Sequence, residues 1–273
     1  MLKSLSVRIA ESPRDKTRLA TAPRTLFGFA SKLGFDGVCL RASTISVEST
    51  ATDVAALSSM LTEFRLTASM VTGDIPLAAN NANATAAIRN IGPYVDLAEA
   101  LGARFVRVML HTKDDITHAQ RAADHAAERS VVLLQQTHWG SLAETVNDCV
   151  KLCRAVDRPN FGLTFEPANL LACGESLDAD VVKRLSPYIR NVYFQNIALA
   201  PESNVVFPTR SRGPVGIEFL PLFDERGIDL APILSAVKEY VAEPLWFTLH
   251  QPQLPGQGLE QAIREAGRFA AQF

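Results

Sequence analysis

Three polar residues that could take part in acid–base chemistry stand where apolar runs of the sequence end: Gln136, Glu166 and His250. A glutamate can act as a general acid or base, and a histidine with its usual pKa of about 6.5 can do either near neutral pH. An amide exchanges no proton but can orient a carbonyl group. We therefore predict Glu166 and His250 as catalytic residues and Gln136 as a residue that binds the substrate.

Further polar and aromatic residues near the ends of apolar runs could contact a substrate. Trp139 could stack on a sugar ring, and the imidazole of His138 could bond a hydroxyl group. An arginine such as Arg212 could hold a phosphate or a carboxylate. The predicted substrate-binding residues are Gln136, His138, Trp139, Asn169, Tyr193, Gln195, His111 and Arg212.

Each candidate also has a purely structural interpretation. Glu166 could form an ion pair with an arginine such as Arg107, and His250 could be a hydrogen-bonded packing residue. Packing within a loop would equally explain His138 and Trp139. For Glu166 and His250 the position at the end of a strand favours function, because residues at strand ends carry the chemistry of βα folds.

These side chains need a scaffold that gathers the ends of several strands. Short apolar runs alternate with amphipathic helical segments along the chain. Eight strand–helix units need roughly 250 residues, and the chain has 273. The predicted strands are 5–10, 35–40, 66–71, 105–110, 131–134, 161–165, 189–194 and 245–249. We predict a single-domain (β/α)₈ TIM barrel over residues 1–273, with an open doubly wound sheet as the alternative.

Three local features refine this prediction. Ser141 and Glu144 have the spacing of a capping box, which predicts a helix that begins just after Ser141. Gly92 and Pro93 should break the long helical segment over 80–101. Residues 197–227 are rich in proline, glycine and arginine and show no clear period. A loop of that length in a compact domain usually has a functional reason or is mobile.

Composition argues against several classes of protein. Lys and Arg number 27 against 29 Asp and Glu, so no basic surplus points to a nucleic-acid partner. No signal peptide and no apolar run of about 20 residues is found, which predicts a soluble cytoplasmic protein without a membrane partner. The four cysteines lack the spacing of a disulfide framework and should be reduced packing residues. Motifs for phosphate loops, dinucleotide binding, zinc proteases and serine hydrolases are absent from the sequence.

Five stretches resemble the sugar-phosphate isomerase and epimerase family, the xylose isomerase-like barrels that also include endonuclease IV. They are 132–138, 160–169, 191–196, 227–230 and 246–250, and together the resemblance extends over nearly the whole chain. The family holds one divalent metal with Glu, Asp, His and Glu from four strands. Its two glutamates act as acid and base on the carbon atoms of a sugar. The resemblance implies the same barrel and a carbohydrate-like small-molecule substrate, and it also implies a homodimer.

Most of the metal ligands of that family are substituted in this sequence. The corresponding positions hold Gln136, Glu166, Tyr193 and His250, which supply a single carboxylate. Magnesium and manganese prefer anionic oxygens, whereas zinc also accepts imidazole. The resemblance therefore implies one divalent ion, zinc or manganese, bound weakly or not at all by Glu166, His250 and Gln136.

Two functions compete on this basis. The first is a divergent isomerase or epimerase of a sugar, sugar phosphate or polyol, which removes and returns a proton next to a carbonyl through Glu166 and His250. The polar ring at the strand ends favours this enzymatic interpretation. The alternative is a non-catalytic member of the fold that binds a carbohydrate or a partner protein, since a fold alone establishes no activity. A role in DNA repair ranks last because no basic surplus is available for phosphates.

Overall fold

The computed structural model describes residues 1–11, 16–242 and 245–272. Its strands are β1 (Leu2–Ser6), β2 (Gly37–Arg41), β3 (Thr67–Thr72), β4 (Phe105–Val108), β5 (Val132–Gln136), β6 (Phe161–Phe165), β7 (Ile189–Phe194), β8 (Ile197–Leu199), β9 (Val206–Thr209), β10 (Gly213–Phe219) and β11 (Trp246–Leu249). Strands β1–β7 and β11 form a closed barrel in chain order, and β11 pairs in parallel with both β7 and β1. The predicted (β/α)₈ barrel is confirmed, and the open doubly wound sheet is excluded.

Helices cover the outside of the barrel. They are α1 (Pro23–Lys32), α2 (Ala51–Glu63), α3 (Ile75–Ala79), α4 (Ala86–Arg89), α5 (Gly92–Ala100), α6 (Asp115–Ala127), α7 (Val146–Val156), α8 (Pro167–Ala172), α9 (Ala179–Leu185), α10 (Leu230–Tyr240) and α11 (Leu259–Ala270), with 3₁₀ turns at Val7–Ala10 and Ala82–Thr85. The predicted break at Gly92 and Pro93 separates α4 from α5. Pro93 lies in the first turn of α5, where its missing N–H would have no helical partner. None of the described helices is long and apolar enough to cross a membrane.

The core has two parts because successive strand residues point to opposite sides of the barrel wall. Outward residues such as Val38, Leu133 and Leu163 pack with the helices in one large cluster. Inward residues form a separate buried cluster, the apolar plug, made of Cys39, Met70, Phe105, Val132, Leu134, Tyr193 and Trp246. The plug fills the barrel interior, so a binding site must lie beyond it, at an open end.

The first strand was predicted too late in the sequence. It spans Leu2–Ser6 rather than residues 5–10, and a 3₁₀ turn follows directly. The hydroxyl of Ser6 accepts the backbone N–H of Arg8 and caps this turn. A serine that bonds the backbone two residues ahead competes with the strand. Arg8 therefore stands beyond the end of β1 instead of in its middle.

The predicted capping box at Ser141 and Glu144 is wrong. Helix α7 begins at Val146, and its N-cap is Thr145. Ser141 instead donates its hydroxyl proton to the carbonyl oxygen of His138 at 2.7 Å. Glu144 accepts a hydrogen bond from the backbone N–H of Gly140 at 2.8 Å. Both side chains thus stabilise the loop before the helix rather than the first turn of the helix.

The segment without a clear period contains a small antiparallel sheet. Strands β8, β10 and β9 lie side by side in that order. Ile197, Phe207 and Ile217 of this sheet pack against Ala168 and Ala172 of α8. Since α8 follows β6 directly, the sheet lies at the C-terminal ends of the barrel strands. It forms a roof over that end of the barrel.

Candidate active site

A cavity of about 220 Å³ lies between the apolar plug and this roof. It is lined by Arg8, Lys16, Arg41, Ala78, Ala79, Asn80, Arg107, Gln136, His138, Trp139, Glu166, Asn169, Gln195, Phe207, Phe219 and His250. A larger hollow at the opposite end of the barrel, beside Arg104 and Arg190, has no carboxylate or imidazole among its described lining residues. The groups capable of proton transfer therefore converge at the C-terminal ends of the strands, where barrel enzymes carry their active sites.

The two-residue period of the strands explains which side chains reach the cavity. Six of the lining side chains lie two positions after an inward-facing residue of the same strand, so they point to the same side of the barrel wall. The inward residues Cys39, Phe105, Leu134, Thr164, Tyr193 and Thr248 are followed in this way by Arg41, Arg107, Gln136, Glu166, Gln195 and His250. The uppermost inward layer of the barrel is therefore polar on six of its strands.

Glu166 is fully buried immediately after β6. Three amide side chains donate hydrogen bonds to its carboxylate: Gln136 and Asn169 to Oε2, the second at 2.9 Å, and Gln195 to Oε1. Asn169 also donates to the backbone carbonyl of Thr137 at 2.9 Å. The carboxylate is held in one position by donors from β5, α8 and the end of β7.

The environment of Glu166 sets its protonation near neutrality. Burial raises the pKa of Glu166 to about 7, although the charge of Arg8 and the hydrogen bond from Gln136 act in the opposite direction. Desolvation disfavours the charged form of a carboxyl group, and this effect outweighs the opposing ones. A carboxyl group with a pKa close to the working pH is well suited to accept and return a proton.

His250 follows β11 and is also buried. Its ring stacks on that of Tyr193 with the centroids 4.1 Å apart, and its Nδ1 lies 3.0 Å from the hydroxyl oxygen of Ser6. Burial lowers the pKa of His250 well below its usual value, and the charges of Arg8 and Arg41 lower it further. The imidazole is therefore neutral at pH 7. Nδ1 of His250 is the acceptor that the described residues offer to the hydroxyl proton of Ser6. We therefore assign the serine proton to the bond with Nδ1 and the imidazole proton to Nε2.

Four cationic side chains line the same cavity: Arg8, Lys16, Arg41 and Arg107. Arg41 is buried and pairs with Glu11 at 2.7 Å. Burial lowers the pKa values of Arg8 and Arg107 to about 10, so both remain charged at pH 7. Desolvation and the charge of Arg8 lower the pKa of Lys16 to about 8.

Gln195 connects a cation to the carboxylate. Its Oε1 accepts a hydrogen bond from Nη1 of Arg8 at 2.7 Å, and its Nε2 donates to Glu166. The Gln195 side chain thus accepts a hydrogen bond from the guanidinium group and donates one to the carboxylate. Through this amide, the position of the guanidinium group and the position of the carboxylate depend on each other.

Asn80 makes a similar connection on the other side of the cavity. It adopts a left-handed conformation at φ 53°, accepts a hydrogen bond from Arg107, and lies 2.7 Å from Nε2 of His138. Nδ1 of His138 lies 2.8 Å from the carbonyl oxygen of Trp139. Nδ1 must donate to that carbonyl, so Nε2 accepts from the Asn80 amide. Burial and the charge of Arg107 lower the pKa of His138 to about 3, and the ring stays neutral.

Aromatic rings close the cavity from above. Trp139 contacts Phe207 with the ring centroids 5.5 Å apart, and Phe207 contacts Phe219 at 6.4 Å. The guanidinium carbon of Arg8 lies 5.6 Å from the Phe219 ring centroid. These rings offer a flat apolar face to a ligand and limit the access of water.

Three predicted binding residues lie outside the lining of this cavity. Tyr193 belongs to the apolar plug, and its hydroxyl lies 3.1 Å from the thiol of Cys39. His111 directs Nδ1 to a loop carbonyl at 3.0 Å. Arg212 packs against Gly174, because the turn between β9 and β10 directs its side chain to the start of the loop after α8. The other predicted binding residues all line the cavity.

The sequence interpretation missed the cations of the site. Arg41 and Arg107 carried a usable signal, since each is a charged residue in an otherwise apolar strand, a place where a lone charge is costly without a role. Arg8 was hidden by the misplaced first strand. Lys16, in a polar loop, had no signal of this kind. The roof residue Phe207 was hidden in the segment without a period.

A comparison with protein families identifies the family to which the chain belongs. Residues 27–271 match the family described as xylose isomerase-like TIM barrel. This chain belongs to that family. The resemblance inferred from the strand-end motifs is thereby confirmed. No curated protein sequence matches the chain.

Solved structures share the xylose isomerase-like barrel along its whole length. The probable 3-DHS dehydratase AsbF of Bacillus anthracis, involved in petrobactin synthesis, has 19% identity and a TM-score of 0.73 over 99% of both chains. D-psicose 3-epimerase of Clostridium cellulolyticum H10, solved with D-tagatose, has 12% identity and a TM-score of 0.70 over 100% of this chain and 98% of the epimerase. A xylose isomerase-like protein of Mycobacterium smegmatis in complex with magnesium has 15% identity and a TM-score of 0.68 over 99% of this chain and 95% of the other. At these identities the likeness shows a common fold.

The residues of this xylose isomerase-like protein do not fit the divalent metal that the family implies. Within the described residues, no group of three His, Cys, Asp or Glu side chains could hold a metal ion. Both carboxylate oxygens of Glu166 already accept hydrogen bonds from amides. Of the predicted ligands only Glu166 is anionic, and cations share its cavity. Zinc or manganese would meet one carboxylate and one imidazole beside several positive charges, which opposes binding of a cation.

Proposed function

We propose that this protein is an isomerase of a small, sugar-like substrate and moves a proton between carbon atoms next to a carbonyl, with Glu166 as the base. One observation carries the proposal: a fully buried carboxylate with a pKa of about 7 lies in a cavity at the C-terminal mouth of the barrel. Such a group is half ionised at neutral pH. It can remove a proton from carbon and return it without a further change of conditions.

The number of carboxylates favours isomerisation over epimerisation. Among the described lining residues Glu166 is the only carboxylate, and the nearby Glu11 is paired with Arg41. A single base can take a proton from one carbon and deliver it to the neighbouring carbon on the same face, as an aldose–ketose interconversion requires. Inversion at one carbon needs a second acid on the opposite face. His250 is a poor second base because its pKa is strongly lowered.

The neutral groups beside Glu166 suit the remaining roles. A neutral imidazole can donate a hydrogen bond to the carbonyl oxygen of an enolising substrate and stabilise the charge that develops there. We assign this role to Nε2–H of His250. Gln136, whose Oε1 has no hydrogen-bond partner among the described residues, would accept a bond from a substrate hydroxyl. Trp139 would pack on the face of the substrate.

Deuterium exchange on a panel of small carbonyl compounds tests the proposal. Short aldoses, ketoses and their acid and phosphate derivatives are incubated with the protein in D₂O, and exchange of the C–H next to the carbonyl is followed by NMR. We expect exchange with at least one of them, reduced by about 10²–10⁴-fold in Glu166→Gln. The matched control is Glu63→Gln, which removes an exposed carboxylate that pairs with Arg24. Exchange at the wild-type rate in Glu166→Gln would refute the role of this residue.

A non-catalytic carbohydrate-binding protein is the second candidate. It is favoured by Gln136, an amide at the position where the family resemblance implies a catalytic glutamate. The same experiment separates the two functions. Line broadening or saturation transfer to a sugar without any exchange of its C–H protons would support binding alone.

A further inference from the structure

The guanidinium groups of the cavity differ in how their charge is compensated. Arg41 has a carboxylate partner, Glu11, at 2.7 Å, and Ser43 donates to the same oxygen at 2.8 Å. Arg8 and Arg107 have no carboxylate partner among the described residues. They line the same cavity of about 220 Å³, so their charges act on whatever the cavity contains.

Only neutral oxygens bond these two arginines in the described part of the chain. Arg8 donates to the side chain of Gln195 at 2.7 Å and to the backbone carbonyl of His250 at 3.2 Å. Arg107, which is 1% exposed, donates to the backbone carbonyl of Leu77 at 2.7 Å and to the side chain of Asn80. A charge removed from water without a counter-ion is costly to maintain. An anion that enters the cavity would remove this cost.

Two buried polar atoms of the lining residues lack partners within the described residues. They are Nε of Arg107, a donor, and Oε1 of Gln136, an acceptor. Buried polar atoms are nearly always hydrogen-bonded in folded proteins. A ligand with an anionic oxygen for the arginine and a hydroxyl for the glutamine would satisfy both.

We propose that Arg8 and Arg107 form an anion site that binds a carboxylate or phosphate group of the substrate, and that their charges replace the divalent metal of the family. The planar guanidinium group suits either anion because it donates parallel hydrogen bonds. The role in turnover rests on the proposed function. The binding of an anion does not.

The charges also fit the chemical step. When the C–H bond next to the carbonyl breaks, the proton passes to Glu166 and the electron pair forms the C=C bond of an enediolate, whose oxygen takes the negative charge. The proton on Glu166 then passes to the former carbonyl carbon, and the hydroxyl proton of the adjacent carbon moves to the former carbonyl oxygen. The new carbonyl therefore forms on the carbon that lost its C–H proton. Fixed positive charges near the developing oxyanion lower the barrier to this step. The substrate is thus a short hydroxy-carbonyl compound with a carboxylate or a phosphate, in keeping with a cavity smaller than most ligand pockets.

Calorimetric titration tests the anion site with three probes: inorganic phosphate, malonate and the neutral polyol erythritol. We expect one or both anions to bind with an affinity that falls as salt rises, and erythritol to bind more weakly. The stronger of phosphate and malonate identifies the anionic group. Arg107→Gln and Arg8→Gln should each lower the affinity for that anion by about tenfold or more. Arg107→Lys should lower it less, because lysine keeps the positive charge and loses only the parallel hydrogen bonds of the guanidinium group.

The control variant is Arg24→Gln, which removes an exposed guanidinium group on α1 whose partner is Glu63. It should bind the anion as the wild type does. If Arg107→Gln does not fold, Arg8→Gln carries the test, since Arg8 is only partly buried. Equal binding of the anion by Arg8→Gln and by the wild type would overturn the proposal.

The metal part of the inference and the proposed function fail in distinguishable ways. Titration of the wild type with Zn²⁺ or Mn²⁺ should show no stoichiometric binding. An ion that binds the wild type stoichiometrically and does not bind Glu166→Gln would overturn the proposal that the arginines replace the metal. Proton exchange on a neutral sugar at a rate that Arg8→Gln leaves unchanged would rule out a role of the anion site in turnover and leave the isomerase. Tight anion binding without proton exchange on any substrate would leave the anion site and sink the isomerase.

Discussion

The two halves of the barrel mouth carry different chemistry. The first half, at the C-terminal ends of β1, β2 and β4, presents three guanidinium groups to the cavity: Arg8, Arg41 and Arg107. The second half, at the C-terminal ends of β5, β6 and β7, presents two amides and a carboxylate: Gln136, Gln195 and Glu166. The side chains at the strand ends are thus cationic on one side of the mouth and neutral or anionic on the other. Gln195, bonded to both Arg8 and Glu166, joins the two halves.

This difference suggests a division of labour. The half with the carboxylate has the group that can exchange a proton, and the cationic half has charges but no described base. A substrate with a charged end and a carbonyl would be oriented by one half and transformed by the other. Fixed orientation of this kind is a large part of what an active site supplies. Changes in either half should therefore affect different measured quantities.

After the loss of Glu166 itself, replacement of the imidazole should have the largest effect on turnover. His250→Phe keeps a ring to stack on Tyr193 but removes the N–H donor. We expect the proton-exchange rate to fall by about 10²-fold, as for the loss of one donor to a developing oxyanion. Anion affinity should stay within about twofold of the wild type, because the guanidinium groups that dominate a charge-assisted bond remain. A loss of anion affinity as large as the loss of rate would contradict the division between the halves.

The two halves should titrate in separate pH ranges. Glu166 acts as a base only when ionised, and burial holds its pKa at about 7. The rate kcat/KM should therefore rise about tenfold per pH unit below 7 and level off above it. Lys16, with a pKa of about 8, and Arg8 and Arg107, with pKa values of about 10, lose charge only at higher pH. An acidic limb near pH 4.5 in the kinetic profile would show that Glu166 is not the base.

Removal of the connecting amide should uncouple the two halves in a measurable way. Gln195→Leu removes a hydrogen bond that stabilises the ionised form of Glu166, so the kinetic pKa should move upward from about 7. The rate at pH 7 should fall by about tenfold, while the rate at pH 9 changes less. A plain loss of activity at all pH values, with the same pKa, would show that Gln195 acts only in binding.

The effect that is smallest near neutral pH concerns stability and comes from His138, a neutral residue between the halves. His138 has a pKa of about 3 in the folded protein and an ordinary one when unfolded. The unfolded chain therefore binds a proton first, and stability is lost as pH falls from 6.5 towards 3, by about 1.4 kcal/mol per pH unit. His138→Gln should reduce the slope of the free energy of unfolding, measured with urea, by this amount and leave the contribution of the buried His250 in place. The exposed His125→Gln is the control, and an equal change of slope there would contradict the assignment.

Much of the barrel was predictable because strands buried on both faces are continuous apolar runs. The bounds of β6 and β7 agree with the prediction. The strand-end argument also named Gln136, Glu166 and His250, which the structure brings to one cavity. These positions follow from local rules, since a strand that ends in a polar residue exposes that residue at the mouth of the barrel.

The remainder depended on contacts distant in sequence. Whether Arg107 faces the cavity or the helices depends on the register of β4 within the barrel, and a shift by one residue reverses the side. Ser6 ends β1 through a hydrogen bond with the next turn, an interaction that apolar periodicity does not report. The roof strands contain Pro208, Pro214 and Gly216, residues that obscure the period of a strand.

The roof is built from one continuous segment, Ile197–Phe219, inserted between β7 and α10. Its contribution to the cavity is two side chains, Phe207 and Phe219, whereas the charged and proton-transferring groups all belong to the barrel or its turns. Under the proposed function, exchange of this segment should alter the size and shape of the ligand that can enter and leave proton transfer to Glu166 unchanged. The roof could then be replaced to change substrate selectivity without any change to the barrel.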